Sequence, residues 1–301
     1  MDQQKLKMEP LDWLLLFALS LCWGGSFFTI EFIVDEIPTF TIVFVRLALT
    51  AISLFILLPI MGLKLPSDKS LWMKLMLVGF FALTLPFSLI IWAQLHVDSS
   101  LVGILTTVIP LLTALLVHFV SKEEKLTPTM IVGLLVGIAG AALIIGPGAL
   151  SGFNVASIAQ FALIGAFCCF ALANVTFRSF RSIHPIPMIT VVMTGSALWA
   201  LPLAWLERSQ WTAPSQTAIW AMVALILVGT TLAYVIYNRV IVRAGATNAS
   251  QVTFLIPITS LLLGMLILGE RPHWTAFVGM GIIFLGLLIK DGRISLGSRK
   301  G

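Results

Sequence analysis

The chain has 301 residues, of which 59% are hydrophobic and 10% charged, and its formal net charge at pH 7 is +5. A soluble domain carries roughly 25% charged residues, so this composition excludes a water-soluble globular fold and indicates a membrane protein. The basic residues occur in short clusters between apolar runs, which is typical of membrane-orientation signals rather than of nucleic-acid binding.

Apolar runs of roughly 20 residues, each long enough to cross a bilayer as a helix, recur along the chain. The first run has no convincing cleavage site, which favours a retained span over a signal peptide. Charged residues and Pro or Gly breaks set the bounds of ten predicted transmembrane helices: 11–33, 39–60, 71–92, 99–120, 128–146, 155–178, 186–205, 215–238, 246–267 and 273–290. The predicted fold class is an all-α membrane protein with tails at 1–10 and 291–301.

The basic residues also predict which side of the membrane each loop faces. Fifteen of the 18 Lys and Arg residues fall in the terminal segments and in the alternate loops that ten spans place on one side. The loops of the other side hold only Arg208 and Arg271, and Arg46 lies inside a span. Because basic loops remain in the cytoplasm, both termini are predicted to be cytoplasmic.

The second half of the sequence repeats the first. Residues 92–110 resemble residues 239–257 at an offset of 147, and each repeat, 11–146 and 155–290, contains five predicted spans. An odd number of spans means that the second copy enters the membrane from the opposite side. The sequence therefore predicts two inverted five-helix repeats, an architecture characteristic of alternating-access carriers with a solute site near the midplane.

Ionisable side chains inside a membrane are costly and usually face protein or water. Arg46 is the best placed of them, and Glu31 lies near the same end of the bundle. In one interpretation Arg46 fixes a solute carboxylate or changes partners as gates move. In the other it is a structural charge tied to backbone carbonyls and to Glu31. Glu31 itself is either a proton carrier or a solvated group near the interface.

Uncharged polar and aromatic side chains gather at mid-depth, which suits a small amphipathic solute. Several recur at the offset of 147: Trp23 with Phe170, Thr84 with Thr231, and Phe87 with Tyr234. The predicted substrate-binding residues are Trp23, Ser26, Thr84, Phe87, Ser88, Thr107, Phe170, Asn174, Thr231, Tyr234 and Gln251. For each of them the alternative is a hydroxyl bonded to its own helix, or a ring that only packs or anchors.

Prolines inside the predicted spans remove a helix hydrogen bond and allow bending where a cavity opens and closes. Pro86, Pro110 and Pro257 are therefore predicted to act in gating or structure, together with Glu31 and Arg46. Nucleotide-binding, zinc-protease and CxxC motifs are absent from the sequence, as is a pair of intramembrane Asp residues. We expect no enzyme activity, no catalytic residues, no metal and no cofactor.

Several short motifs carry a family resemblance. They are Trp23-Gly24-Gly25-Ser26-Phe27 with Pro38 and Arg46, Ala233-Tyr234, Gly245-Ala246-Thr247, Leu255-Ile256-Pro257 and Leu268-Gly269-Glu270-Arg271. Over roughly 11–290 the chain resembles the EamA-type drug/metabolite transporter superfamily, and most closely its amino-acid and aromatic amino-acid exporter branch. The first-half copy departs from the pattern at 108–110, which reads Val-Ile-Pro.

The resemblance implies a central cavity built by the first, third, fourth, sixth, eighth and ninth spans, and a location in the bacterial inner membrane. It also implies an alternating-access transporter that exports amino acids, including aromatic ones, or similar small metabolites. The expected partners are a small-molecule solute and the lipid bilayer but no nucleic acid, and a monomer is compatible with the sequence. The alternatives are a multidrug exporter of organic cations and, from another class, a channel or a membrane-embedded enzyme.

Overall fold

The structure is a computed structural model that describes residues 8–120, 127–145 and 155–290. The regular elements in these ranges are helices. They are α1 (Pro10–Ile30), α2 (Thr39–Ile60), α3 (Lys69–Gln94), α4 (Ser99–Phe119), α5 (Pro128–Ile145), α6 (Val155–Phe180), α7 (Pro185–Leu206), α8 (Gln216–Ala244), α9 (Val252–Leu268) and α10 (Trp274–Lys290). The first eight are long and apolar enough to cross a membrane, and the last two are shorter apolar helices. The predicted tail 291–301 and most of the tail 1–10 lie outside the described residues.

The helix bounds differ most from the predicted ones around Gly245. The eighth helix continues to Ala244 instead of ending at 238. The predicted helix 246–267 is divided into a short helix, Ala246–Ala249, and α9. Gly245 has φ 85°, a conformation that favours glycine and that ends a helix without steric strain.

Four helices contain irregular segments in their interior or at their end, besides the 3₁₀ turn Arg178–Phe180 that ends α6. Segments of π-helix occupy Phe80–Thr84 in α3, Leu227–Leu232 in α8 and Gly264–Leu268 in α9, and a 3₁₀ turn occupies Thr106–Val108 in α4. The segments in α3 and α8 begin 147 residues apart. A π-helical turn rotates the side chains that follow it about the helix axis, and such turns are frequent at functional sites. The sequence analysis predicted none of these segments.

The helices pack in pairs around three clusters of buried apolar side chains. The most extensive contacts join α5 to α10, α2 to α7, α3 to α6 and α1 to α8. In the α5–α10 pair the backbones approach closely through glycine: a Cβ added to Gly133 would lie 2.6 Å from the carbonyl oxygen of Gly286. Small residues permit this approach, which is common between membrane helices.

Glutamates join the helices at one end of the bundle, which we call the carboxylate end. Glu207, after α7, accepts hydrogen bonds from the backbone N–H groups of Phe40 (3.1 Å) and Thr41 (2.9 Å) at the start of α2. Glu36, after α1, accepts one at 2.6 Å from the backbone N–H of Ser215 before α8. This bond and a second from the Ser215 hydroxyl hold the pKa of Glu36 below its ordinary value. Each glutamate thus satisfies N–H groups that a helix start leaves without a helical partner.

A third glutamate at the carboxylate end ties the loop before α10 to α4. Glu270 accepts hydrogen bonds from the backbone N–H groups of Ser99 (3.0 Å) and Ser100 (2.9 Å), and from both hydroxyls. Partial burial and, as a smaller cause, the negative charge of Glu270 raise the pKa of the neighbouring Asp98. All three glutamates cross between the first and second halves of the chain, so the two halves are tied together at this end.

Candidate functional site

Four aromatic side chains from four helices approach one another inside the bundle. Trp23 of α1 lies edge-on to Tyr234 of α8 with ring centroids 6.1 Å apart. Phe87 of α3 lies edge-on to Phe170 of α6 at 5.9 Å. Both pairs have an interplanar angle of 75°, and each member of one pair stands 147 residues from a member of the other. We call these four residues the ring cluster.

The ring cluster lies where the three apolar clusters meet. Phe87 packs against two of them, Tyr234 against the first, Phe170 against the second and Trp23 against the third. All four rings are only half-buried. Tyr237, one turn beyond Tyr234 on α8, adds a further ring at 5.3 Å from Trp23. Part of each ring in the cluster therefore remains exposed.

Arg46 lies beside this cluster and is deeply buried, with 5% of its surface exposed. Its Nε donates a hydrogen bond of 3.0 Å to the Thr230 hydroxyl in the π-helical segment of α8. Its guanidinium carbon lies 4.0 Å from the centroid of the Phe87 ring, a cation–π contact. Among the described residues, Arg46 has no ion pair with a carboxylate.

Glu31 was the expected partner of Arg46 if that arginine is a structural charge. In the structure, Glu31 is bonded elsewhere. Its Oε1 accepts a hydrogen bond of 2.9 Å from the Gln94 amide. The same amide nitrogen also donates to the backbone oxygen of Phe27 at 2.8 Å. Glu31 therefore links α1 to the end of α3 at the carboxylate end, and Arg46 is held by a hydroxyl and a ring instead.

Most of the predicted polar substrate-binding residues already have partners. The hydroxyls of Ser88 and Thr107 donate to carbonyls of their own helix. Ser26 donates to Cys22 at 2.9 Å and to Gly229 in α8 at 3.2 Å, and Thr84 donates to Ser196 in α7 at 2.9 Å. The bonds from Ser26 to Gly229 and from Thr84 to Ser196 join different helices, whereas the other bonds stay within one helix.

Three predicted polar residues behave differently. Thr231 is buried, and its hydroxyl has no hydrogen-bond partner among the described residues. Asn174 is exposed and stands one helical turn from Phe170, so it shares a face with the ring cluster. Gln251 precedes α9, where its amide donates to Asn248 at 3.2 Å. Thr231 thus keeps a buried hydroxyl without a partner among the described residues, whereas Asn174 is exposed.

The three prolines that were predicted to act in gating lie in different local helix geometries. Pro86 is the second residue after the π-helical segment of α3, and Pro110 is the second residue after the 3₁₀ turn of α4. Pro257 is buried inside the regular first part of α9. The helices thus already deviate from regular geometry next to Pro86 and Pro110, and these are the places where bending requires least loss of hydrogen bonding.

Sequence reasoning missed Thr230 and Tyr237. Both lie on α8 close to predicted residues, and Tyr237 and Tyr234 are the two tyrosines of the whole chain. The helical spacing of the tyrosines was therefore a usable signal. The contact between Thr230 and Arg46 could not be predicted from the sequence, because the π-helical segment changes which side chain of α8 faces α2.

Two cavities are lined by other residues. One of about 140 Å³ lies between α1 and α9, and its lining includes Phe17 and Leu262. The other, of about 340 Å³, lies beside α2 near the carboxylate end and includes Thr41 and Trp211. In the described ranges, no group of three or more His, Cys, Asp or Glu side chains is arranged to hold a metal ion.

The arrangement of helices is shared with a protein of known structure. A solved crystal structure superposes with a TM-score of 0.67 over 94% of this chain and 98% of its own, at 18% sequence identity. The sequence profile of the EamA-like transporter family matches residues 12–146 and, a second time, residues 157–289. The chain belongs to the EamA-like transporter family.

Curated relatives of this EamA-like transporter are named as transporters. The Uncharacterized transporter YoaV of Bacillus subtilis is 23% identical, with 91% of this chain and 94% of the relative covered. The Uncharacterized inner membrane transporter YedA of Escherichia coli K12 is 26% identical, with 91% and 88% covered. The Probable terminal-alkyne amino-acid exporter of Streptantibioticus cattleyicolor is 22% identical, with 98% and 97% covered. The resemblance found in the sequence motifs is thus confirmed at the level of the family, and the chain is a multi-pass membrane transporter.

Proposed function

We propose that this EamA-like transporter is an alternating-access carrier that exports amino acids, including aromatic ones, or similar small metabolites. The observation that carries the proposal is the ring cluster: four half-buried rings contributed equally by the two halves of the chain. A carrier needs its solute site between two bodies that move against each other. Aromatic faces beside the unpartnered Thr231 hydroxyl suit an amphipathic solute.

We further propose that α1–α5 and α6–α10 form two inverted repeats of five transmembrane helices around this site. The matching ring pairs and the π-helical segments of α3 and α8 support the repeat, since both recur at an offset of 147. The packing supports it too. The contact of Gly133 with Gly286 recurs between Gly279 and Gly140, where an added Cβ would lie 2.7 Å from the Gly140 carbonyl oxygen.

The proposed orientation has both termini in the cytoplasm of a bacterium and the carboxylate end outside the inner membrane. The distribution of basic residues supports this orientation, and the relative YedA is named as an inner membrane transporter. With the carboxylate end outside, the three glutamate contacts close the outer side in the conformation described. Asn174 is exposed in the cytoplasmic half of α6, which supports an inner approach to the ring cluster.

The choice of amino acids as substrates has two supports. One relative that aligns over nearly the whole chain is named as a probable amino-acid exporter. The other support is chemical: the site offers ring faces for a side chain together with a hydroxyl and a cation for a polar head. Organic cations would use the same ring faces, but the charge of Arg46 beside them opposes a second positive charge.

The proposed function is tested by efflux of a panel of labelled amino acids from proteoliposomes that contain the purified protein, with and without an imposed pH gradient. We expect saturable efflux that unlabelled amino acids of the same type inhibit. A dependence of the rate on the pH gradient would show coupling to protons. Failure of every amino acid in the panel, together with saturable efflux of a cationic dye, would contradict the proposal.

A further inference from the structure

Arg46 is an unusual residue for a membrane-spanning helix because it is buried and nearly unpartnered. One of its five N–H donors has a hydrogen bond, the one from Nε to Thr230. No carboxylate in the described part of the chain forms an ion pair with it. A buried charge is expensive unless it is paired or serves a function. The buried hydroxyl of Thr231, the residue after Thr230, is a second polar group that has no hydrogen-bond partner in the ranges that the structure describes.

We infer that Arg46 is the binding site for the carboxylate of the transported solute, with its guanidinium positioned by the Thr230 hydroxyl, which itself donates to the Leu225 carbonyl. This inference rests on the proposed function and specifies its substrate class: solutes that carry a carboxylate next to an apolar or aromatic group. The terminal amino groups of a guanidinium match the two oxygens of a carboxylate, and such a charge-assisted pair is stronger than a neutral hydrogen bond.

The surroundings of Arg46 favour this use of its charge. The guanidinium carbon lies 4.0 Å from the centroid of the Phe87 ring. Among the described residues the hydrogen bond of Arg46 comes from Nε, so its terminal amino groups remain free to donate. Phe87 also contacts Phe170 in the ring cluster. A carboxylate on Arg46 would therefore place the rest of the solute against aromatic faces.

The buried arginine is present in the first half of the chain and has no counterpart at the equivalent position of the second half. At the offset of 147 the position of Arg46 is occupied by Met193, which is fully buried on α7. The ring pairs are matched between the halves, whereas the cation is not, so a solute would bind in one orientation with its carboxylate towards α2. The same asymmetry disfavours organic cations, because the uncompensated positive charge lies 4.0 Å from a ring that they would use.

The test compares three compounds that share a phenyl group: labelled L-phenylalanine, its amide L-phenylalaninamide, and phenethylamine, which lacks the carboxylate. Their transport is measured in proteoliposomes with wild-type protein and with the variants Arg46→Gln, Arg46→Lys and Arg208→Gln. Arg208 is the matched control because its guanidinium also lies over a ring, that of Trp205 at 5.4 Å, but in an exposed loop.

We expect the wild type to prefer L-phenylalanine over both analogues by roughly 10- to 100-fold in kcat/KM, the effect of one hydrogen-bonded charge. Arg46→Gln should remove the preference, Arg46→Lys should retain part of it, and Arg208→Gln should leave it unchanged. A purely structural Arg46 would lower the rate for all three compounds alike. Equal transport of L-phenylalanine and its analogues by the wild type would overturn the inference while leaving a carrier function intact.

A second measurement covers the case in which L-phenylalanine is not transported and the variants fold differently. The midpoint of thermal unfolding in detergent is measured with and without benzoate, phenylacetate and their amides, for the wild type and for Thr230→Val. Stabilisation of the wild type by the carboxylates alone, reduced in Thr230→Val, would support the subsite even if amino acids are not the substrates. No stabilisation by any carboxylate would overturn it.

Discussion

Trp23 is one of the residues through which α1 contacts the second half of the chain. Its ring lies 6.1 Å from that of Tyr234 and 5.3 Å from that of Tyr237. Edge-to-face ring pairs contribute about 0.5–1.5 kcal/mol beyond the burial of their area. In the proposed carrier the exposed part of the ring also contacts the solute, so Trp23 should influence affinity more than stability.

Replacement of Trp23 by Ala tests this role. We expect Trp23→Ala to raise KM for a transported amino acid roughly threefold to tenfold, the equivalent of one ring pair, while the amount of folded protein stays similar. Trp220→Ala is the matched control, since Trp220 is 71% exposed on α8 away from the cluster. An unchanged saturation curve for Trp23→Ala would remove Trp23 from the site.

At the residue scale, the sequence indicated which residues are unusual more readily than it indicated their hydrogen-bond partners. Arg46 stood out because a charge in an apolar run is rare, and the structure places it beside the predicted Phe87. Its hydrogen-bond partner Thr230 could not be predicted, since contacts between distant helices depend on their rotation. The sequence also could not show whether the hydroxyls of Ser88 and Thr107 face a solute or bond to their own helix. In the structure both donate to a carbonyl of their own helix.

At the scale of elements, the start of α4 is held by a carboxylate from elsewhere in the chain. Glu270 accepts hydrogen bonds from two backbone N–H groups and two hydroxyls there. A carboxylate at a helix N-terminus also interacts favourably with the helix dipole. If the carboxylate end must separate for solute release, this contact stabilises the closed arrangement.

Replacement of Glu270 by Gln should therefore favour opening of the carboxylate end. The amide lacks the charge and one acceptor oxygen, and loss of a helix cap is worth about 1 kcal/mol, or roughly fivefold in population. Opening is measured as the maleimide labelling rate of Leu105→Cys, a fully buried position of α4, after Cys22, Cys168 and Cys169 are replaced by Ser. Asp35→Asn, at an exposed position of the same end, should leave the rate unchanged. Equal rates in all three proteins would exclude a closing role for Glu270.

The helices themselves were largely predictable, because length and hydropathy of an apolar run are local properties. The π-helical segments of α3 and α8 were not, since they depend on packing between helices. Gly245 shows an intermediate case. A glycine between two apolar runs indicated a helix break. The predicted eighth helix nevertheless ended at 238, whereas α8 continues to Ala244.

At the scale of the molecule, the most extensive contact between the two halves is the α5–α10 pair. An added Cβ on Gly286 would lie 2.6 Å from the carbonyl oxygen of Gly133 and 2.7 Å from the backbone nitrogen of Gly137. These are backbone atoms, so relief requires the two helices to move apart. The pair therefore acts as a fixed junction, in contrast to the half-buried ring cluster.

The variant Gly286→Ala should destabilise the protein by about 1–3 kcal/mol, the usual effect of overpacking, and should lower the midpoint of thermal unfolding in detergent. Gly281→Ala on the same helix is the matched control, because a Cβ there has no atom within 4 Å. Alanine is the better helix former, so the control should be unchanged or slightly more stable. A similar midpoint for both variants would show that the α5–α10 backbones are not in tight contact.

The measurement that tests the carrier most directly is counterflow of L-phenylalanine in proteoliposomes. A carrier returns faster when loaded, so unlabelled L-phenylalanine inside the vesicles should accelerate uptake of the labelled compound and produce a transient accumulation. Protein-free vesicles give the background. We expect accelerated, saturable uptake in the wild type and reduced acceleration in Trp23→Ala. Uptake that rises linearly with concentration and is indifferent to the internal amino acid would contradict an alternating-access carrier for amino acids.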